Sequence, residues 1–403
     1  MSLLIKFNHK QTLHAMKRLS YFLFAMLLLI ACETNEGPAP EIIKVFEGDM
    51  TLSTPEDVDE FANQGYNVIN GDLRIENSTI TSLEGLIGLK EIKGDFIFLF
   101  NDYLSDLTGL DSLTYIGGYS TISFNNALKS FKGLNNLTSM DGRLVIQLNP
   151  SLINLNDLTH FKKASSIAIN GNNELREINS FNNLDSIHGG LSITRNPEIE
   201  FINGFKNITY VRGLSIGSNS SLENLDFLNN LESIDGRLYI TINPELRDIK
   251  GLSNLKRFNS FLKIARNDKL TSLEGLNQIT EVTHSIYITQ NYALENLDGL
   301  SGLERVGNLH IWSNSSLKSI NLPNLTMILY MFGMLNNDSL NDLDGFNKLE
   351  FIGYSITINN HIQLNNFCGI QTALANNFSG EYIVENNAYN PTLNELIEGF
   401  CSN

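Results

Sequence analysis

Residues 231–246 read LESIDGRLYITINPEL and hold the whole motif that decides the fold. Its centre is the step Leu238-x-Ile240, in which one residue separates two apolar residues. This pattern is typical of a short strand with alternate side chains turned inward. The step recurs every 23 or 24 residues, beginning at residues 73, 96, 120, 144, 167, 191, 214, 238, 262, 286, 309, 332 and 356. Thirteen steps in one register predict a solenoid in which each coil packs against its neighbours.

The remaining positions of the motif predict how each coil turns. After the strand, apolar residues such as Leu246, Ile249 and Leu252 stand three apart, a spacing that suits tight 3₁₀-like turns and would drift around an α-helix. Glycine recurs two residues before the strand, as at Gly142, and again ahead of later apolar residues, as at Gly109. These glycines predict corners with positive φ or close backbone approach.

Asparagine occupies one corner in eleven successive coils. It stands three residues after the second apolar residue of the strand, at Asn101, Asn125, Asn149, Asn172, Asn196, Asn219, Asn243, Asn267, Asn291, Asn314 and Asn337. Because an amide both donates and accepts, a stacked column of this kind predicts a structural hydrogen-bond ladder. The alternative is a polar or metal-binding column. Ser78 holds the slot in the first coil and His361 in the last.

The pattern Gly-x-Leu-x-Ile-x-x-Asn-x-x-Leu resembles leucine-rich repeats, and more closely the receptor L-domain family, over about residues 46–367. The resemblance implies a right-handed, β-rich, β-helix-like solenoid of about 13 coils, which we place at residues 67–367. It carries little information on function. Family L-domains have fewer coils, so this longer array does not imply ligand clamping between two domains.

Both ends of the array need caps, because a solenoid buries its core only between neighbouring coils. Thr54 followed by Pro55 predicts a helix over about 55–64, within an N-terminal cap at 41–66. Residues 368–403 are predicted as a helical C-terminal cap. Cys368 and Cys401 are expected to form a disulfide in an exported protein, the alternative being two free thiols.

The N-terminal residues predict an export signal. Lys17 and Arg18 precede an apolar run of 11 residues, too short to span a bilayer, that ends in Leu-Ile-Ala-Cys at Cys32. This ending resembles the lipobox of bacterial lipoproteins, which implies cleavage after residue 31 and a lipid on Cys32. An ordinary secretory signal is the alternative. Residues 32–40 are a polar tether, and its acidic residues resemble the surface signal of Bacteroidetes-type lipoproteins. We therefore expect an outer-membrane anchor facing the cell exterior.

Composition excludes several classes of function. The net charge is −16 with no basic block, which disfavours nucleic acid and anionic lipid surfaces as partners. Asparagine makes up about 13% of the chain, so its polarity is largely amide. The seven histidines have no metal-site spacing, and the chain lacks a nucleophile elbow and a phosphate loop. We expect no catalytic residues, no cofactor and no metal, and a monomer.

The residues between the two apolar positions point outward from the strands. In the eighth to eleventh coils they are Tyr239, Lys263, Tyr287 and His310, with Trp312 at the next outward position. Rings with hydrogen-bonding tips on a flat sheet predict a binding surface for a sugar or a protein. The alternative is a cross-strand aromatic ladder that only stabilises the sheet.

A second set of residues follows the strands by two positions: Phe100, Phe124, Leu148 and Ile242. We expect these side chains to face inward and fill the core at the turn.

The sequence thus favours a non-enzymatic surface lipoprotein that binds a protein or a glycan. A structural spacer of the cell envelope without a ligand is the first alternative. A carbohydrate-active β-helix enzyme is the second, but it predicts a charged groove along the strands that the outward residues do not supply.

Overall fold

The fold is a parallel β-solenoid, seen in a computed structural model that describes residues 42–376 and 378–403. The predicted leader 1–31, Cys32 and the tether 32–40 lie outside the described residues. Within residues 44–403, each coil adds one strand to a single long ladder, and every pairing in that ladder is parallel. The predicted fold class is therefore confirmed.

The long ladder contains fifteen strands among the described residues, two more than the thirteen predicted steps. In order they are Met50–Leu52, Leu73–Glu76, Phe96–Leu99, Ser120–Ser123, Arg143–Gln147, Ser166–Asn170, Ser186–Thr194, Tyr210–Gly217, Leu238–Thr241, Leu262–Ala265, Glu281–Thr289, Arg305–Trp312, Met331–Leu335, Ser355–Asn359 and Glu381–Glu385. Both additional strands, the first and the last, belong to the segments predicted as caps.

Shorter elements complete each coil. The separate two- and three-residue strands are Val45–Glu47, Val68–Asn70, Glu91–Ile92, Tyr115–Ile116, Ser139–Met140, Glu177–Ile178, Phe201–Ile202, Ser233–Ile234, Arg257–Phe258, Met327–Ile328 and Phe351–Ile352. The described 3₁₀ helices are Glu84–Leu86, Asp226–Leu228, Lys250–Leu252, Asp298–Leu300, Asp344–Phe346 and Cys368–Ile370. These helices realise the three-residue apolar spacing seen in the sequence.

The core is a continuous stack of aliphatic and phenylalanine side chains. In the coil that begins at Leu238, both strand residues and the later Leu246, Ile249 and Leu252 are fully buried. Burying one such side chain stabilises the fold by about 1.5–3 kcal/mol. Glycine permits the close stacking of backbones at the corner before the strand: a β-carbon on Gly142 would overlap the carbonyl group of Gly118.

The N-terminal end of the ladder is covered by helix α1, Pro55–Gln64. The Thr54 side chain accepts a hydrogen bond from the Asp57 amide, and the Asp57 carboxylate accepts one from the Thr54 amide, which completes a capping box. Backbone hydrogen bonds from the Ser53 and Thr54 amides lower the pKa of Asp57. Val58 and Phe61 are the side chains that α1 buries against the first coil.

The C-terminal segment differs from the helical cap that the sequence predicted. It contains two short helices, α2 (Gln371–Ala375) and α3 (Leu393–Glu398), but between them the strand Glu381–Glu385 pairs with Ser355–Asn359. Gly380, Tyr382, Val384 and Asn387 keep the spacing of the motif, but the step begins 26 residues after Ile356 instead of 23 or 24, so it falls outside the predicted period. A disulfide joins Cys368 and Cys401, where the sequence predicted one.

The asparagine column is a continuous buried hydrogen-bond ladder. The side chain of Asn219 represents the eleven: its Oδ1 accepts from the backbone amide of Asn196 at 3.1 Å, and its Nδ2 donates to the carbonyl of Ile193 at 2.9 Å. Its own backbone amide donates to Oδ1 of Asn243. All eleven side chains are fully buried. Each amide therefore ties three successive coils together.

Both ends of this ladder are closed by other polar side chains. Ser78 donates its hydroxyl hydrogen to Oδ1 of Asn101 at the first coil. At the other end, Nδ2 of Asn337 lies 3.1 Å from Nε2 of His361, and Nδ1 of His361 lies 3.0 Å from Oδ1 of Asn387. The ring is therefore neutral with its proton on Nδ1, and burial lowers the pKa of His361 to about 4. The backbone amide of Asn387 donates in turn to Asn390.

Asn219→Ala should lower the free energy of unfolding by about 2–5 kcal/mol, because it leaves a buried amide of Asn196 and a buried carbonyl of Ile193 without partners. The measurement is denaturant unfolding followed by circular dichroism. Asn173→Ala, an exposed position of a neighbouring turn, is the matched control and should change stability little. Equal losses in the two variants would contradict the structural role of the column.

His361→Asn should make the stability less dependent on pH between about 6.5 and 4. In the parent, the unfolded chain protonates this residue below its ordinary pKa of 6.5, whereas the folded chain does so only near 4. The free energy of unfolding should therefore fall by up to about 3 kcal/mol as the pH drops through this window, from this residue alone. Unfolding titrations at several pH values test this. The exposed His160→Asn should retain the parent slope, and an identical slope in His361→Asn would refute the assignment.

Candidate functional site

The predicted binding residues lie side by side on the outward face of the long ladder. Strand register places Tyr239 opposite Lys263, Lys263 opposite Tyr287, and Tyr287 opposite His310. Trp312 lies two residues further along the strand of His310. The period-2 geometry of a strand explains this, because the flanking Leu and Ile residues take the inward positions.

Four of these residues and one further ring form what we call the aromatic cluster: Tyr239, Phe261, Tyr287, His310 and Trp312. Phe261 packs edge-on against Tyr239 at 5.6 Å between centroids and stacks on Tyr287 at 5.4 Å. Tyr287 stacks on His310 at 4.4 Å, and His310 meets the edge of Trp312 at 4.9 Å. The tyrosines and Trp312 stay partly exposed. The cluster is a row of rings of which all but His310 are partly exposed.

Phe261 was not predicted as part of the site. It immediately precedes the inward residue Leu262, so the alternation of the strand marks it as outward, but it lies before the step Leu262-x-Ile264 and not between its two apolar residues. Phe261 fills the space beside Lys263 and connects the two tyrosines, which are one strand too far apart to stack. Lys263 is exposed and adds a cationic group to this face.

Two ring nitrogens of the cluster are buried without a hydrogen-bond partner in the protein. They are Nδ1 of His310, a residue only 6% exposed, and Nε1 of Trp312. Burial lowers the pKa of His310, so the ring is neutral near pH 7. Both rings border a small cavity of about 120 Å³ that also touches Gly333. Buried polar atoms of this kind call for an explanation.

The prediction that Phe100, Phe124, Leu148 and Ile242 fill the core was wrong. These residues are 37–45% exposed and have φ between 55° and 59°. A left-handed residue stands at this corner in every coil, immediately before the asparagine slot, and reverses the alternation of the strand so that the side chain turns outward. The sequence held only a weak sign of the reversal, because most coils lack glycine or asparagine at this corner; the exceptions are Gly171, Asn77, Asn336, Asn360 and Asn386.

The described residues offer little for metal or membrane chemistry. They hold no group of three or more His, Cys, Asp or Glu side chains that could bind a metal ion. No helix in this part of the chain is long and apolar enough to cross a bilayer. The asparagine column is engaged in bonds within the protein, so its amides are not available to a ligand.

Comparison with known proteins supports the fold. Residues 185–275 match the family model of the Receptor L domain, a segment that includes Tyr239, Phe261 and Lys263 but ends before Tyr287. No curated protein matches the chain. The chain is thus similar to receptor L domains in the middle of its solenoid, and this similarity indicates a binding type of role rather than catalysis.

Proposed function

We propose that this chain is a lipid-anchored protein of the bacterial cell surface that binds an extracellular glycan or protein through the aromatic cluster and performs no catalysis. The observation that carries the proposal is the row of packed rings on a sheet face, of which all but His310 are partly exposed. Stacked rings with polar tips supply contact area together with hydrogen bonds, as in protein and sugar recognition.

The solenoid keeps this surface in one arrangement. Each strand below the cluster is hydrogen-bonded to two neighbours, and the side chains beneath it, such as Leu262, Ile264 and Ile286, are fully buried. Little conformational entropy is then lost when a ligand binds, which favours affinity. The mechanism is display of a rigid surface, and we propose that a monomer suffices.

The anchoring proposal rests on the N-terminal sequence, with the apolar run that ends at Cys32 and the polar tether after it. A lipid at Cys32 would hold the chain at the outer membrane and leave the acidic solenoid in solvent. The net charge of −16 supports solubility and disfavours anionic partners such as nucleic acid.

Tyr287→Ala and Trp312→Ala should each weaken ligand binding about tenfold or more, because each removes a central ring of the cluster. The measurement is binding of the purified full-length chain, in detergent, to a glycan array and to surface proteins in a pulldown. Thr121→Ala, an outward position of an early coil, is the control and should bind as the parent does. Undiminished binding by both aromatic variants would contradict the proposal.

Cys32→Ser should release the chain from the membrane fraction, because the thiol that would carry the lipid is lost. Fractionation followed by immunoblotting measures the distribution. Thr34→Ser, a conservative change two residues further along the same tether, is the matched control and should stay with the membrane as the parent does. Continued membrane retention of Cys32→Ser would refute the lipid anchor.

A further inference from the structure

The outward face of the sheet has a charge opposite to that of the whole chain. Each coil presents to this face the residues directly before, between and directly after the two apolar residues of its step, and the left-handed corner residue that follows. From the step that begins at Ser120 to the one that begins at Ile356, these positions hold no aspartate or glutamate. They hold five cations: Arg143, Arg195, Arg237, Lys263 and Arg266. The chain as a whole has 44 acidic residues against 28 Lys and Arg residues, so its carboxylates lie elsewhere on the solenoid.

The five cations have no partner of opposite charge. All five are exposed, and none forms an ion pair within residues 42–376 and 378–403. The guanidinium of Arg266 donates through Nε to Oε1 of Gln290, which is a neutral group. Other exposed cations of the described chain do pair with acids of neighbouring coils, as Lys269 does with Glu245. The five charges on the sheet face are therefore available to an anionic ligand.

Two of these cations lie among the rings of the aromatic cluster. Strand register places Lys263 between Tyr239 and Tyr287, about 4.8 Å from each neighbouring strand. Arg237 stands two residues before Tyr239 and shares its outward direction, and the same register places it beside Phe261. Rings and cations therefore alternate on this surface. A ligand that covered the rings would lie within reach of the charges.

We propose that the aromatic cluster and these cations together bind an acidic glycan, a linear saccharide that carries carboxylate or sulfate groups on some of its sugar residues. The faces of its sugar rings would pack against Tyr239, Phe261 and Tyr287, and one anionic group would pair with Lys263. This inference rests on the proposed binding function and specifies its ligand class.

The acidic character of the whole chain does not prevent such binding. After the step that begins at Ser120, the first acids at outward positions are Glu381 and Glu385, which lie five strands from Lys263. At about 4.8 Å per strand this separation is about 24 Å. Charges in solvent are screened beyond about 8 Å at physiological ionic strength. The cations next to the ligand therefore dominate its electrostatic energy.

A glycan fits this surface better than other acidic polymers. The strand Leu262–Ala265 is hydrogen-bonded to a neighbour on both sides, so an acidic peptide would find no free strand edge to extend. A single-stranded nucleic acid carries a phosphate on every nucleotide and is held by a continuous basic groove, whereas both neighbours of Lys263 in its column are tyrosines. A saccharide places apolar ring faces on aromatic side chains and keeps its hydroxyl groups in water.

The test compares acidic with neutral oligosaccharides by isothermal titration calorimetry on the purified full-length chain in detergent. The acidic probes are hexasaccharides of galacturonate, which carries only carboxylates, and of chondroitin sulfate, which adds sulfates. The neutral probe is the hexamer of N-acetylglucosamine. At least one acidic probe should bind about tenfold or more tightly than the neutral one. Added salt should weaken that binding, because it screens exposed charge pairs.

Lys263→Gln should weaken binding of that acidic probe about threefold to tenfold, because it removes one cation from the centre of the surface. Tyr287→Ala should weaken it about tenfold or more, because it removes a central ring. Lys269→Gln is the matched control: it removes the same charge from the same coil, but Lys269 lies beyond the asparagine corner and pairs with Glu245. It should bind as the parent does. Thermal unfolding of every variant checks the fold.

Parent-like affinity in Lys263→Gln and in the double variant Arg237→Gln/Lys263→Gln would overturn the proposal, as would equal affinity for acidic and neutral probes. A loss of the same size in Lys269→Gln would also overturn it, because it would indicate a general effect of net charge. If the neutral probe or a surface protein binds in a way that depends on Tyr287 but not on Lys263, the binding function stands and only the acidic glycan falls.

Discussion

The structure depends on satisfying backbone polar groups at a corner that is closed to water. Where each strand ends, the chain turns inside the stack, and an amide and a carbonyl of neighbouring coils lose their access to solvent. The side chain of one asparagine per coil supplies both missing partners, and its own backbone amide donates to the asparagine of the next coil, so a single residue type meets the same demand at Asn101 and Asn219. A hydrophobic core alone would leave these groups unpaired at a cost comparable to that of a lost core side chain.

Much of the fold could be predicted from the sequence, because its causes are local and repeated. The Leu-x-Ile step fixes a strand, and its recurrence fixes the register of the ladder. The strand Glu381–Glu385 was missed because Tyr382 follows Ile356 by 26 residues, outside the 23- or 24-residue period, although Asn387 keeps the usual spacing after Val384. The outward turn of Phe100 and Ile242 was missed for a different reason: these residues adopt a positive φ that their own type does not favour, and most coils lack the glycine or asparagine that would have marked the corner.

The candidate site likewise has features that the sequence predicts and features that it does not. The register of Tyr239, Tyr287 and His310 follows from counting residues. The role of Phe261 and the lack of partners for the two ring nitrogens do not follow from counting residues. Both depend on how side chains from neighbouring strands pack beside Lys263 and Gly333. The sequence alone does not show which atoms lie beside a glycine in the outward column. In the structure, Gly333 lies beside Nδ1 of His310 and Nε1 of Trp312, which have no hydrogen-bond partners within the protein.

The asparagine ladder also bears on how such a chain changes over generations. Every interior coil presents the same donors on one side and the same acceptors on the other, so whole coils are interchangeable units. Duplication or loss of one whole repeat would again place each asparagine beside a matching amide and carbonyl. Insertion of a partial repeat would leave these groups without hydrogen-bond partners. Only the terminal partners, such as Ser78 and Asn390, are tied to a position. The length of the array is thus free to drift, and with it the order in which outward side chains are displayed.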